Sequence, residues 1–331
     1  MAKNRWILPD GFDKSSREAV KAILSALETS GKEIPPEAFT ALQLGDVAGF
    51  LEFVNWDQIR NEFGDLTEIM RLMASTAGQS TFTMGGVQAQ LLFDLIDARA
   101  VDYAQKRVGE LIVDISEQMR ETVRDTIARA SAGEMTYQQA ALRLQSTISL
   151  TSRDAGAVNK FIEKQYQRFM RSGLSDARAR IKAQNMGAKY ASKLLRSRTN
   201  TIARTEIADA AMAGRYLGWE AGVTAGLISN ESVKEWIAEP NACPICKALD
   251  GKVIGWNEAW DFPEGVSAGL DNNMPPAHPN CRCSVAILPP DFADNVFTPS
   301  SGGEMPEEAE EFTKHLPGKH DQSTHGRKKG V

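Results

Sequence analysis

All four cysteines of this 331-residue chain fall between Cys243 and Cys283, together with one of its four histidines. The segment reads Cys243-Pro-Ile-Cys246, then a loop, then His278-Pro279-Asn280-Cys281-Arg282-Cys283. A Cys-x2-Cys pair lets two thiolates reach one tetrahedral ion from a tight turn, and a second ligand pair from later in the chain closes the site. The candidate ligands are Cys243, Cys246 and two of His278, Cys281 and Cys283. These are five candidates for four places, and spacing does not choose among them. No open coordination position is needed, so a closed structural Zn2+ site fits better than a catalytic one. The competing reading is two disulfides or a set of reduced structural thiols. Disulfides suit a secreted chain, and the opening residues do not read as a secretory segment.

Composition bounds the function classes. Hydrophobic residues make up 42% and charged residues 24%, the usage of an ordinary globular chain of one or two domains. No apolar run approaches the ~20 residues that span a bilayer, so no membrane partner is expected. Met1-Ala2-Lys3-Asn4-Arg5 is basic, but Pro9 and Asp10 interrupt Ile7-Leu8 at once, unlike a signal peptide. The chain is expected to be made in the cytoplasm and kept there or packed into something assembled there. A net charge of −5 argues against nucleic-acid affinity spread over the whole surface, though not against a local basic patch.

Most of the chain that must position the cysteine segment is predicted to be helical. Asp13 caps a helix carrying Val20, Ile23, Leu24 and Leu27, punctuated by Gly31 and Pro35-Pro36. A second helix is expected over roughly 37–55, weakened at Gly45. An Ile69/Leu72/Met73 cluster follows, and residues 77–86 read as a Gly/Ser/Thr connector. From about Val87 to Ala130 apolar residues recur at three- and four-residue steps without a proline. That predicts an amphipathic helix about 60 Å long, of the kind that packs in a bundle or against a partner. Thr136, Ser152/Asp154 and Ser175/Asp176 start further helices, and Gly133 and Gly173 end two of them. Arg196–Asn200 is expected to lead into one more helix, which Gly222 terminates. The texture then changes to short strands at 233–237, 253–254 and 284–288, with Trp236, Trp256 and Trp260 as their core and a Gly/Pro/Asn loop over 263–276. So few strands make little core, and a bound metal would fix them. The fold class expected is mainly α with a small C-terminal β-rich, zinc-stapled module (α+β) and a disordered C-terminal tail. The divisions expected are an N-terminal helical region over 1–86, a helical section over 87–222, the Cys/His module over 223–290 and the tail over 291–331. The tail runs from acidic to basic and holds His315, His320 and His325. Their spacing of five is poor for one helix face, so docking or processing suits it better than metal binding.

The stretch from about Thr136 to Leu288 resembles the head morphogenesis (minor head protein) family typified by protein F of phage Mu. The resemblance rests on Leu150-Thr151-x-Arg153-Asp154, Tyr190, Ile202-Ala-Arg204-Thr205-Glu206 and Lys234-Glu-Trp236. It continues through Cys243-Pro-x-Cys246 with Asp250-Gly251, and Pro275-Pro276-x-His278-Pro279-Asn280-Cys281-Arg282-Cys283. Each is weak alone; their order and spacing over nearly half the chain are specific together. The resemblance implies a minor component of the virion, inside the head or at the portal vertex. It would be made in the host cytoplasm and would join the procapsid beside portal, scaffold and major capsid proteins, with phage DNA as a further partner. It implies no enzyme activity and no small-molecule substrate.

Among single residues, Arg204 and Glu206 sit two apart and cannot share a helix face, so structural ion pairing is favoured over catalysis. Arg282 is placed either to support a thiolate or to face solvent. Asp250-Gly251 reads as a turn. Two other functions compete with this reading. A zinc-dependent nuclease or toxin-like enzyme would need a second histidine near the metal, and only His278 lies outside the tail. A DNA-binding packaging or ejection factor would use the basic tail and a strip of Lys182, Lys189, Lys193, Arg196 and Arg198.

Overall fold

A computed structural model describes residues 11–32, 34–53, 63–80, 89–262 and 273–290. The tail with its three histidines, and most of the Gly/Pro/Asn loop, lie outside the described residues. The chain is mainly helical with one small sheet. The helices are α1 (Phe12–Lys32), α2 (Pro36–Gln43), α3 (Val47–Glu52), α4 (Gly64–Ser80), α5 (Ala89–Ser131), α6 (Tyr137–Thr147), α7 (Ser152–Arg171), α8 (Asp176–Thr224) and the short α9 (Pro244–Leu249). The strands are β1 (Val233–Ile237), β2 (Val253–Gly255) and β3 (Ser284–Leu288). They form an antiparallel sheet in the order β2-β1-β3, with Val233 opposite both Gly255 and Leu288.

The chain divides into two compact units, and α1, α4, α5 and α8 each contribute to both. One unit holds residues 66–108 and the chain from Thr201 through the β module. There α8 is buried at every position from Thr201 to Ala213 except Arg204. Alanine dominates this run, so neighbouring helices can approach closely. A Cβ built on Gly214 would stand 1.9 Å from the carbonyl oxygen of Ala74, a separation no side chain tolerates. The other unit holds residues 21–65 and 109–200. Its α7 and α8 pack through Val158, Ala191 and Leu194, joined by Leu150 and the partly buried Ile162, Tyr190 and Leu195.

The caps expected from sequence largely form. Thr136 and Gln139 make a reciprocal capping box on α6, whereas the cap of α7 is Thr151, one residue before the expected Ser152, accepting from the Asp154 amide. Gly173 takes a φ of 84° between α7 and α8, a conformation that glycine enters freely. Several expectations are corrected. Residues 77–80 of the expected connector belong to α4, and α8 passes Gly222 to end at Thr224, with Gly226 at φ 71° beyond it. The single helix over 37–55 is broken into α2 and α3, because Gly45 adopts φ 83° and Asp46 caps a new helix by accepting from the Gly49 amide at 2.8 Å. The expected break at Arg196–Asn200 is absent. Neither glycine nor proline stands there, and Thr199 and Asn200 donate to the Leu195 and Arg196 carbonyls within one continuous 49-residue helix. Of the expected Ile69/Leu72/Met73 cluster, Met73 is buried, joined by Leu66 and Met70, while Ile69 is half-buried and Leu72 faces outward at 49% exposure.

Candidate metal centre and its supports

Cys243 is the residue before α9. Its sulfur accepts the Cys246 amide as a helix cap, and Pro244 follows at the first helical position, where no amide hydrogen is missed. The tight pair anticipated from Cys-x2-Cys is therefore the first turn of a helix. At the other end of the module, His278–Cys283 runs into β3. The two segments meet. Cys243, Cys246 and His278 place their ligand atoms within 4.8 Å of one another, and so do Cys246, Cys281 and Cys283. Cys246 belongs to both groups.

The distances suit a dication held by sulfur and nitrogen. With Zn–S near 2.3 Å, the edge of a tetrahedron of thiolates is about 3.8 Å, and a sulfur–imidazole edge is about 3.6 Å. Cys246 Sγ lies 3.8 Å from Cys281 Sγ, and His278 Nε2 lies 3.4 Å from Cys246 Sγ and 3.1 Å from Cys243 Sγ. All four cysteines are free thiols, so the disulfide reading finds no support in the geometry. His278 Nδ1 donates to the Pro279 carbonyl at 2.9 Å, which turns Nε2 toward the sulfurs.

The protonation pattern follows from these contacts. Hydrogen bonding from Cys246, with help from His278, brings the Cys243 thiol down to about 4 against the opposing effect of burial. Cys281 is also lowered, by hydrogen bonds from Cys246 and Cys283. Cys246 is pushed up by its bonds to the same sulfurs and by burial. At Cys283 the lowering contact with Cys246 is outweighed by Cys281 and burial, and the net direction is upward. Burial opposes charge on His278, but the neighbouring Cys281 and Cys243 prevail and raise it to about 9. Two sulfurs are thus drawn toward thiolate, and one imidazolium balances part of that charge. A divalent ion supplies the missing charge and deprotonates coordinated thiols outright. The five residues fit such an ion.

The family-motif residues are distributed around this centre. Asn280 stands at φ 60°, and its amide and side chain donate to Thr205 Oγ1 at 2.9 Å and Thr201 Oγ1 at 3.0 Å. The metal loop is therefore held against α8 by two threonines one helical turn apart. Glu206, fully buried on the next position, receives a bidentate pair from Arg107 of α5 at 2.8 and 3.0 Å. Tyr103 donates to Asp209 within the same cluster. Arg204 is exposed, on the face opposite its motif partner, as the two-residue spacing requires. Trp236 is fully buried, edge-on to Trp260 at 5.3 Å. Asp250 accepts from the Ala238 amide, and Gly251, at φ 79°, donates to the Trp236 carbonyl, so the turn is tied back to β1. Arg282 pairs with Glu239 and does not face solvent alone.

Several supports were not legible in the sequence. Arg107 lies 99 residues from Glu206 in a helix that carries several other cations, and nothing in its spacing marks it. Lys234, buried on β1, donates to the Glu258 and Asn273 carbonyls and to the Asn273 side chain. Burial lowers its ammonium to about 7 against a smaller pull from Glu258. The Lys234-Glu-Trp236 motif pointed to the strand but not to this clamp.

A helical protein with a small antiparallel module, pinned by a thiol–imidazole cluster and keyed to one central helix, is the class these observations define. The sequence matches the family described as Phage Mu protein F like protein over residues 121–286, half of the chain, and the chain belongs to that family. That makes it a protein of phage head morphogenesis. No curated protein matches it, and no solved structure does. Among the described residues, no helix is long and apolar enough to cross a membrane.

Proposed function

We propose that this chain is a minor component of the head of a tailed phage or prophage. It joins the procapsid during assembly and docks at the portal vertex or the inner shell against portal, scaffold or major capsid proteins. The observation that carries the reading is the family match across residues 121–286, which includes both the α8 motif and all but the last strand residues of the metal module. Residues 223–290 act as a module whose Zn2+ is structural, drawn from Cys243, Cys246, His278, Cys281 and Cys283. The donor chemistry supports this: five candidate ligands fill four positions without leaving one for water. His278 is the single histidine among the described residues, and its second nitrogen is engaged by a backbone carbonyl, so no base is poised beside the metal. The chain acts by positioning rather than by turnover. Residues 1–130 adapt it to a particular head.

Quantitative mass spectrometry of purified procapsids and mature particles tests the proposal. The expected result is a few copies per particle in both. Absence from both would refute a head component and turn attention to a factor that leaves before maturation.

A further inference from the structure

Between Ser152 and Asn200 the chain carries twelve Lys and Arg against three Asp and Glu, a net of +9 within a total of −5. The placement is ordered. On α7, Arg153, Lys160, Lys164, Arg168 and Arg171 recur at steps that keep them within an arc of about 80° on a helix of 3.6 residues per turn. On α8, Arg178, Lys182, Lys189, Lys193 and Arg196 fall within about 60° by the same geometry. All ten are exposed, and each arc lies opposite the apolar face through which its helix is packed. At 1.5 Å per residue each stripe is about 27 Å long. Arg198, which sequence spacing adds to the α8 strip, does not belong to it. Its guanidinium is buried and donates to the Ser149 carbonyl at 2.5 Å and to Gln118 Oε1 at 2.7 Å.

Little on the hairpin neutralises these cations. Asp154 is buried, Glu163 accepts from Gln167 at 2.9 Å about 60° off the α7 stripe, and Asp176 pairs with Arg180, which stands off the α8 stripe. Among the described residues, Lys160, Lys164, Arg168, Lys189, Lys193 and Arg196 form no ion pair. The acidity of the rest of the chain does not cancel them at the surface. The Debye length in physiological salt is about 8 Å, well short of a stripe's length, so the hairpin sets its own local field.

The side chains between the cations narrow the partner. Protein interface cores favour aromatic residues and are depleted in lysine, whereas three of the five cations on α8 are lysines. Asn185 and Met186 flank that arc about 20° beyond its two edges, with Ser192 and Ile181 farther out on the Asn185 side, so no apolar residue stands within the row of cations itself. Single-stranded nucleic acid would call for exposed aromatic stacking platforms, and the nearest rings, Phe169 under Lys182 at 5.7 Å and Tyr166 under Arg180 at 4.8 Å, are half-buried and already covered by those cations. Two rigid rows of cations at regular pitch match a rod of regularly spaced phosphates. We infer that the α7–α8 hairpin is a binding surface for the phosphate backbone of double-stranded DNA, without base readout. The inference rests on charge and geometry and is independent of the proposed docking in the head.

The test is a titration of the full chain against a random-sequence duplex DNA fragment, followed by anisotropy over a series of salt concentrations. Each phosphate contact contributes a slope of about 0.9 to the plot of log affinity against log salt. A variant carrying Lys182→Gln, Lys189→Gln and Lys193→Gln is expected to keep its melting temperature, lose between two and three units of slope, about 0.9 per cation removed, and bind at least about tenfold more weakly at low salt. A second variant, Arg327→Gln, Lys328→Gln and Lys329→Gln, is expected to retain most of the binding. If the first variant does not fold, Lys160→Gln with Lys164→Gln and Arg168→Gln on α7 gives the same readout. No salt-dependent binding by the full chain would overturn the inference, as would an unchanged slope in the stripe variant or a loss confined to the tail variant. A stripe variant that binds DNA normally but disappears from purified heads would assign the surface to a protein partner and overturn it as well.

Discussion

The β module and the α7–α8 hairpin are held together in opposite ways. In the hairpin every seventh or so residue repeats a role: apolar on one arc, cationic on the other, with Gly173 turning the chain between. Its stabilising contacts are numerous, local and interchangeable. In the module three strands of at most five residues surround a few tryptophans, and order depends on single contacts between distant points. These are Cys246 with Cys281, Asn280 with Thr201 and Thr205, and Lys234 with Asn273. A repeated pattern tolerates the loss of any one member. A set of unique contacts does not, and that difference ranks the effects of substitution.

The largest effect is expected at Cys246, the sulfur common to both ligand groups. Structural Zn2+ contributes about 10–16 kcal/mol of apparent binding energy in small metal-dependent folds. Cys246→Ser should therefore abolish metal retention, measured by elemental analysis of the purified chain, and unfold the module. Cys243→Ser, His278→Ala, Cys281→Ser and Cys283→Ser sharpen the point. The one that keeps a full metal equivalent identifies the fifth, non-ligating residue. Because bound ligands must be deprotonated, metal retention should fall as pH is lowered. Equal retention in Cys246→Ser would break the comparison at its root.

Next in size is the ion pair that fastens α8 to α5. Arg107→Ala leaves Glu206 buried without its bidentate partner, which typically costs about 3–5 kcal/mol; chemical denaturation of the full chain reads this directly. Gly214→Ala forces a Cβ against the Ala74 carbonyl and should cost about 1–3 kcal/mol or more by overpacking. Asn280→Gly keeps the left-handed backbone but gives up the bond to Thr201, a loss of about 1 kcal/mol. Asn280→Ala loses the bond and strains the backbone, and should be the worse of the two by about 1–2 kcal/mol. At the small end, Lys160→Ala or Lys189→Ala on the hairpin should change stability by no more than about 0.5 kcal/mol, since each side chain lies outside the packed face.

The same contrast explains what could be read from the sequence. Helices appear in it because their apolar period is local. The start at Thr136, the start of α7 to within a residue, the long α5 and the reversal at Gly173 all follow from residues within a turn of each other. The three strands and the five metal-site candidates were also legible, the latter because sulfur and imidazole at such spacing have few other uses. What stayed hidden depends on the partner across space. Gly45 weakens a helix in any reading, but its break is decided by the cap that Asp46 provides. Arg196–Asn200 looks like an interruption until Thr199 and Asn200 turn their side chains onto the helix's own carbonyls. Arg198 reads as one more surface cation until Ser149 and Gln118 are found waiting for it. Spacing cannot select four ligands from five, nor can it pair Arg107 with Glu206 or Lys234 with Asn273.

The most direct test of the central contrast is hydrogen exchange of the full chain before and after removal of metal by a strong chelator. The account predicts that protection over 233–255 and 284–288 collapses on chelation while protection over 152–200 is unchanged. Protection lost from neither region, or equally from both, would contradict a module whose order depends on its metal beside a hairpin that needs none.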